Sequence, residues 1–322
     1  MAVVSARVGL VLGAGGIAGG SFHAGVLAAL EEATGWDPRD AHIMVGTSAG
    51  SVAATSLRAG LSAPDLLARA RDLRLSPEGA ALMRRVGTPR RPPLRRAAQP
   101  RTASDVASTL ARAARRPFGS RPWAVLAGMM PEGSVSTHFI SDGIGGLFAS
   151  EWPADPLWIC AVRQADGRRE VFGRGRKRPP LPAAVAASCA IPGFFQPVEI
   201  DGESYIDGGV HSPTNADVLA RESLDLIVIS SPMSIAGRHI RLTADQPLRR
   251  WSQAMLDAEA IRLRRRGHTV LAFQPTAEDA AVMGLNAMDP ERRSAIARQV
   301  RESTLRRLER PETRSRLGPL AG

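Results

Sequence analysis

His42-Ile43-Met44-Val45-Gly46-Thr47-Ser48-Ala49-Gly50-Ser51-Val52-Ala53-Ala54 reads as an apolar strand, a sharp turn and the first turns of a helix built from small residues. A run of apolar residues this short, stopped by glycine, suits a strand buried on both faces. The turn itself is Gly46-Thr47-Ser48-Ala49-Gly50, a G-x-S-x-G sequence in the strand-turn-helix context that pushes a serine hydroxyl outward. Glycines are needed on either side of such a serine, because side chains there would strike the neighbouring strand and helix. The helix start adds unpaired N–H groups and a positive dipole end.

Outward from this turn the same alternation continues. Val8 to Leu12 is a short apolar run ending at Gly13, and Gly25 to Glu32 has a helical pattern. Ala49 to Arg58 and Asp65 to Leu73 are helical, the second opened by Ser62 as N-cap and Pro64 in its first turn. Further strands fall at Leu157 to Val162, Arg169 to Phe172, Leu226 to Ser230 and Val270 to Phe273. Glu199 to Ile206 alternates around Asp201-Gly202, a hairpin-turn dipeptide. Strands alternating with helices predict an α/β fold of three layers, a mostly parallel central sheet with helices on both faces.

Arg84 to Arg101 interrupts the pattern with seven arginines, several prolines and no acid, which predicts a loop inserted in one domain. We therefore expect a single domain over residues 1–322, with its motifs in residues 7–231, the basic insertion at about 84–101 and a helical extension at about 289–322. Within that extension, Pro290 to Arg310 is an Arg-rich amphipathic helix carrying Ile296, Val300, Leu305 and Leu308, read as packing on the body.

The net charge is +11. A field of this sign favours anionic partners, a lipid surface among them. Nucleic acid is not expected, since aromatic residues are 4% of the chain and no reading motif accompanies the arginines. Cys160 and Cys189 are too few for a disulfide framework or a metal cage and read as small core residues. We expect no metal, no cofactor, no signal peptide and no membrane span, and hence a cytoplasmic protein, peripheral to a membrane at most. Oligomeric state is not legible.

A serine hydroxyl needs a base. None of the six histidines has a recognisable catalytic setting, although His268 would give the chain order of a Ser-acid-His triad. The better partner is Asp207 in Tyr205-Ile206-Asp207-Gly208-Gly209, at a strand end before two glycines. Its ordinary pKa of ~3.9 makes it a weak base, and a desolvating pocket would raise it into a useful range. Gly13-Ala14-Gly15-Gly16-Ile17-Ala18-Gly19-Gly20 lies between the first strand and first helix, where backbone N–H groups can converge on an anion. The run also matches a dinucleotide fingerprint, but that reading requires an acid at the end of the next strand. That strand instead ends at Gly46 and enters the serine turn, so an oxyanion hole is the better reading.

Together, in this order, the glycine-rich loop, the G-x-S-x-G serine and the Asp-Gly-Gly aspartate resemble the patatin-like phospholipase family. The resemblance covers residues 7–60 and 181–231, including Ala187-Ser188-Cys189-Ala190-Ile191-Pro192-Gly193-Phe194-Phe195-Gln196-Pro197 and Ser212-Pro213-Thr214-Asn215-Ala216. It implies a Ser48–Asp207 dyad, an oxyanion hole at Gly13, Ala14, Gly15 and Gly16, an elbow of Gly46, Thr47, Ala49 and Gly50, and a dyad loop at Gly208 and Gly209. It also implies hydrolysis of lipid acyl esters, of phospholipase A or lysophospholipase type. Family members often carry Arg or Lys late in the glycine loop, where this chain has Ala18 or Gly19. That departure leaves the individual oxyanion donors open. The competing readings are a soluble esterase or thioesterase, and a lipid-binding or regulatory protein without turnover.

Overall fold

The computed structural model describes residues 6–86, 133–148, 151–236 and 245–320. Its centre is an eight-stranded sheet, ordered β5-β6-β3-β2-β1-β7-β8 with β4 paired to β3. The strands are β1 (Val8–Leu12), β2 (Ile43–Thr47), β3 (Leu157–Arg163), β4 (Arg169–Phe172), β5 (Val198–Ile200), β6 (Glu203–Asp207), β7 (Leu226–Ser230) and β8 (Thr269–Phe273). From β3 through β2, β1 and β7 to β8 all pairings are parallel, whereas β4, β5 and β6 run antiparallel to their partners. Alternate residues of the central strands face opposite cores. Leu10, Leu12 and Met44 point into one, and Val11, Ile43 and Val45 into the other.

The first core is covered by α1 (Gly16–Thr34), α2 (Ala49–Arg58), α3 (Ala63–Ala70), α5 (His138–Phe148), α6 (Leu181–Ser188) and α9 (Arg293–Leu308). The second lies under α7 (Gln246–Arg265). This is the expected three-layer arrangement. Two further helices, α4 (Pro77–Val86) and α8 (Ala277–Met283), flank the first layer.

Several boundaries differ from the sequence reading. The first helix begins at Gly16, well before Gly25, because α1 is buried on almost every side between Ala18 and Leu30 and so carries no apolar stripe to mark its start. The helix expected to reach Leu73 stops at Ala70, and Asp72 follows with φ 53°. Its predicted N-cap is present, with Ser62 Oγ accepting the N–H of Asp65. Arg84 and Arg85, expected in a loop, form the last turn of α4, while the rest of the insertion through Arg101 lies outside the described residues. The Asp201-Gly202 turn has left-handed φ at both positions, 52° and 74°, as a type I′ hairpin requires.

The tail helix packs as expected. α9 lies along α1 with Ile296 and Val300 buried, and Arg301 pairs with Glu32. The approach is close enough that a Cβ on Gly25 would sit 2.8 Å from the carbonyl oxygen of Ala297.

Candidate active site

The site forms where the parallel strands end. Thr47, the last residue of β2, is level with Cys160 of β3, and Asp207, the last residue of β6, is level with Ala161. Because β4 occupies one edge of β3 across Ile159–Val162, β2 and β6 must share the other edge. They run toward one another along it and stop one register position apart. Ser48 and Asp207, 159 positions apart in the chain, are thereby brought face to face.

Ser48 has φ 54° and ψ −123°, a conformation that non-glycine residues adopt only when the surroundings enforce it. The surroundings are explicit. A Cβ on Gly46 would lie 2.5 Å from Cα of Ser51, and one on Gly50 only 1.9 Å from the carbonyl oxygen of Leu12. Ala49 opens α2 directly behind the serine. The N–H of Ser48 donates to Ser188 Oγ at 2.9 Å, whose own hydroxyl donates to the carbonyl of Cys160 at 2.7 Å. The carbonyl of Ser48 accepts from Ser51 Oγ at 2.6 Å.

Asp207 is buried. Loss of solvent raises its pKa to about 6, against the opposing hydrogen bonds from the Ser48 hydroxyl and the N–H of Gly209. The Gly209 bond is 2.7 Å long. Asn215 ties this loop to the serine turn: its Nδ2 donates to Thr47 Oγ1 at 3.1 Å, to the Ser212 carbonyl at 2.6 Å and to the Gly208 carbonyl at 3.3 Å. Below it, the buried Glu259 of α7 accepts from Ser212 Oγ, Thr214 Oγ1 and the N–H of Ala216. Arg169 bridges Asn215 Oδ1 and Asp217.

The glycine loop divides into two parts. The N–H groups of Gly13 and Ala14 are already spent on the carbonyls of Ser230 and Pro213, at 3.0 and 2.7 Å. These two amides anchor the loop, so the expectation that all four residues from Gly13 to Gly16 donate to an anion is corrected. Gly15 and Gly16, at the start of α1, are the remaining candidates. His23 completes the anchor. Its Nε2 donates to the Gly13 carbonyl at 2.8 Å, which leaves Nδ1 to accept from Ser230 Oγ at 2.8 Å. Burial lowers its pKa to about 4, so it stays neutral. His268 stands elsewhere, just before β8 at the opposite ends of the parallel strands, with Nδ1 against the Leu224 carbonyl.

Beside Ser48 lies a cavity of about 460 Å³, lined chiefly by apolar side chains including Ile17, Val52, Leu66, Met83, Phe139 and Ile144. Such a volume and lining suit an apolar ligand. Cys189 lines it too, and burial raises that thiol well above its ordinary range, so it is no nucleophile. Among the described residues no three His, Cys, Asp or Glu side chains cluster as a metal site would need.

Ser188, Asn215, Glu259 and His23 were not singled out from the sequence. Ser188 and Asn215 fall within the stretches that carry the family resemblance. His23 and Glu259 sit on helices with no local signal, and only their burial and partners reveal them.

Comparisons with known proteins extend these observations. Uncharacterized NTE family proteins of Mycobacterium bovis and Mycobacterium tuberculosis are 35% identical over 99 residues, which is 30% of this chain and 26% of theirs. The chain thus spans about a quarter of the length of these relatives. Among solved structures, VipD from Legionella pneumophila matches with 14% identity and a TM-score of 0.44, over 95% of this chain and 67% of that one. Human GIVD cytosolic phospholipase A2 matches with 15% identity and a TM-score of 0.38, over 98% of this chain and 59% of that one. The family model described as patatin-like phospholipase matches residues 10–220, from β1 through the serine turn and Asp207 to the loop held by Glu259, and this chain belongs to that family.

Proposed function

We propose that this protein hydrolyses carboxylic esters of lipids, of phospholipase A or lysophospholipase type, through an acyl-serine intermediate formed by a Ser48–Asp207 dyad. The observation that carries the reading is the meeting of a strained serine and a desolvated carboxylate at one end of an apolar cavity. In the first step Asp207 takes the hydroxyl proton while Ser48 Oγ bonds to the acyl carbon. The carbonyl oxygen gains negative charge, and the N–H groups of Gly15 and Gly16 receive it. When the tetrahedral centre collapses, the acyl–oxygen bond to the alcohol breaks and Asp207 returns its proton to that leaving oxygen. Water, deprotonated by the same carboxylate, then releases the fatty acid and restores the serine. A single residue serves as base and acid in turn, which a carboxyl group titrating near 6 can do at neutral pH. The acyl chain would lie in the cavity, where its apolar surface is removed from water.

The test is a lipid-class panel run on the parent protein, Ser48→Ala and Asp207→Asn, together with labelling by a fluorophosphonate. We expect ester cleavage and Ser48 labelling in the parent and neither in Ser48→Ala. Full hydrolysis by both variants would reject the dyad. Activity confined to short soluble esters would move the assignment to a soluble esterase, and absence of both turnover and labelling to a binding protein.

A further inference from the structure

We propose that the rim of the Ser48 cavity is a docking surface for an anionic lipid bilayer, with Leu73 and Leu285 as its apolar anchors. The cavity reaches solvent between the end of α3 and the segment before α9, since Arg69 and Pro290 line it and are themselves exposed. Three residues beyond the cavity-lining Ala70 stands Leu73, 53% exposed. Three residues before the cavity-lining Met288 stands Leu285, 64% exposed. These are the two most exposed large apolar side chains among the described residues; the others, Leu248 and Ile261, lie on α7, across the sheet. Leu73 and Leu285 thus flank, one on each chain segment, the place where the apolar cavity opens.

The surrounding charge selects the partner. Asp72 and Asp289 on this rim are each neutralised, by Arg293 at 2.7 Å and Arg292 at 3.1 Å. Along residues 71–86, which run on from the cavity-lining Ala70 and include the cavity-lining Met83 and Val86, Arg71, Arg74, Arg84 and Arg85 outnumber the acids Asp72 and Glu78. Long arginine stems can lie along acyl chains with their guanidinium groups among phosphates, while the leucines enter the boundary between headgroups and tails. Neither a single apolar anchor nor a few cations hold a protein on a membrane alone; the combination does. The Asp72–Arg293 pair also ties the two sides of the rim together, so both leucines are presented by one surface. The purpose of this docking rests on the acyl-hydrolase reading, since it would let a lipid tail pass from the bilayer into the cavity without crossing water. The surface itself does not depend on that reading.

The experiment therefore measures binding without turnover. Ser48→Ala protein is sedimented with vesicles of phosphatidylcholine alone or mixed equally with phosphatidylglycerol, at low and high salt. We expect binding to the anionic vesicles that weakens with salt, and a loss of about tenfold or more when Leu73→Ser and Leu285→Ser are combined. Arg74→Ser with Arg84→Ser should weaken it several-fold. Unchanged binding by the leucine pair, or equal affinity for neutral vesicles, would overturn the proposal. So would self-association of the protein in the absence of lipid that the leucine pair abolishes, because the surface would then join two copies. In a protein that keeps Ser48, the leucine pair should leave hydrolysis of a short soluble ester unchanged. If the parent cleaves no ester yet binds as expected, the hydrolase reading fails and the docking surface stands.

Discussion

Burial of Asp207 sets its chemistry and its cost together. In the proposed dyad the carboxylate form would accept the serine proton, and with a pKa of about 6 that form fills in as pH rises through that value. The pH profile of kcat/KM should therefore show a rising limb with an apparent pKa of about 6. Asp207→Asn should abolish that limb and lower kcat/KM by about 10²- to 10⁴-fold. The same residue should destabilise the fold. In the unfolded chain it ionises near its ordinary value, so as pH rises from about 4 to about 6 the native state holds a proton that the unfolded state has lost. Stability is lost across that window and the penalty is complete above it, on the order of 2–3 kcal/mol. Asn in its place carries no charge and still accepts from Gly209. Asp207→Asn should thus melt higher than the parent at pH 8, with the difference vanishing near pH 4. A parent that melts equally with the variant at both pH values would contradict a desolvated Asp207.

At the scale of elements, the site is a junction between two strand ends and the loop that follows one of them. Residues 208–215 have no regular ladder to hold them; Glu259, reaching from α7, gathers Ser212, Thr214 and Ala216. Glu259→Ala removes the shared acceptor and leaves buried donors without partners, which should cost roughly 1–3 kcal/mol. Because Asn215 links this loop to Thr47, kcat should fall more than KM rises. Glu259→Gln, which keeps one acceptor oxygen, should recover part of both. Equal losses from the two substitutions would show that the one oxygen kept by Gln recovers nothing, and full recovery by the isosteric Gln would show that packing volume alone matters there.

At the scale of the molecule, helices from beyond the matched family region complete what the first 220 residues begin. α9 covers α1 opposite the sheet, and the segment leading into it contributes Met288 and Pro290 to the cavity. The carbonyl of Ala287 accepts the N–H of Ala18 just inside α1, so the C-terminal region also braces the helix that follows the glycine loop. Ile296 is buried against this assembly. Ile296→Ala should lower the unfolding free energy by roughly 2–5 kcal/mol in urea denaturation. A change well under 1 kcal/mol would mean that α9 is peripheral to the core rather than part of it.

The local sequence determined the strands, the strained serine turn and the hairpin at Asp201-Gly202, because each depends on neighbours a few residues away: apolar runs, glycines that avoid close backbone contacts, and a turn that requires positive φ. It also pointed to Ser48 and Asp207 as partners through the order of their motifs. Long-range packing decided the rest. The start of α1 was hidden because a helix buried on all sides has no periodic pattern, and α4 because arginines in its last turn looked like the beginning of a loop. The division of the glycine loop into anchoring and available amides depended on Ser230, Pro213 and His23, none of which has a sequence signal tying it to Gly13. Hydrogen bonds between residues some 200 positions apart exist only once the sheet has set β1 beside β7, and for that reason tertiary structure alone could assign them.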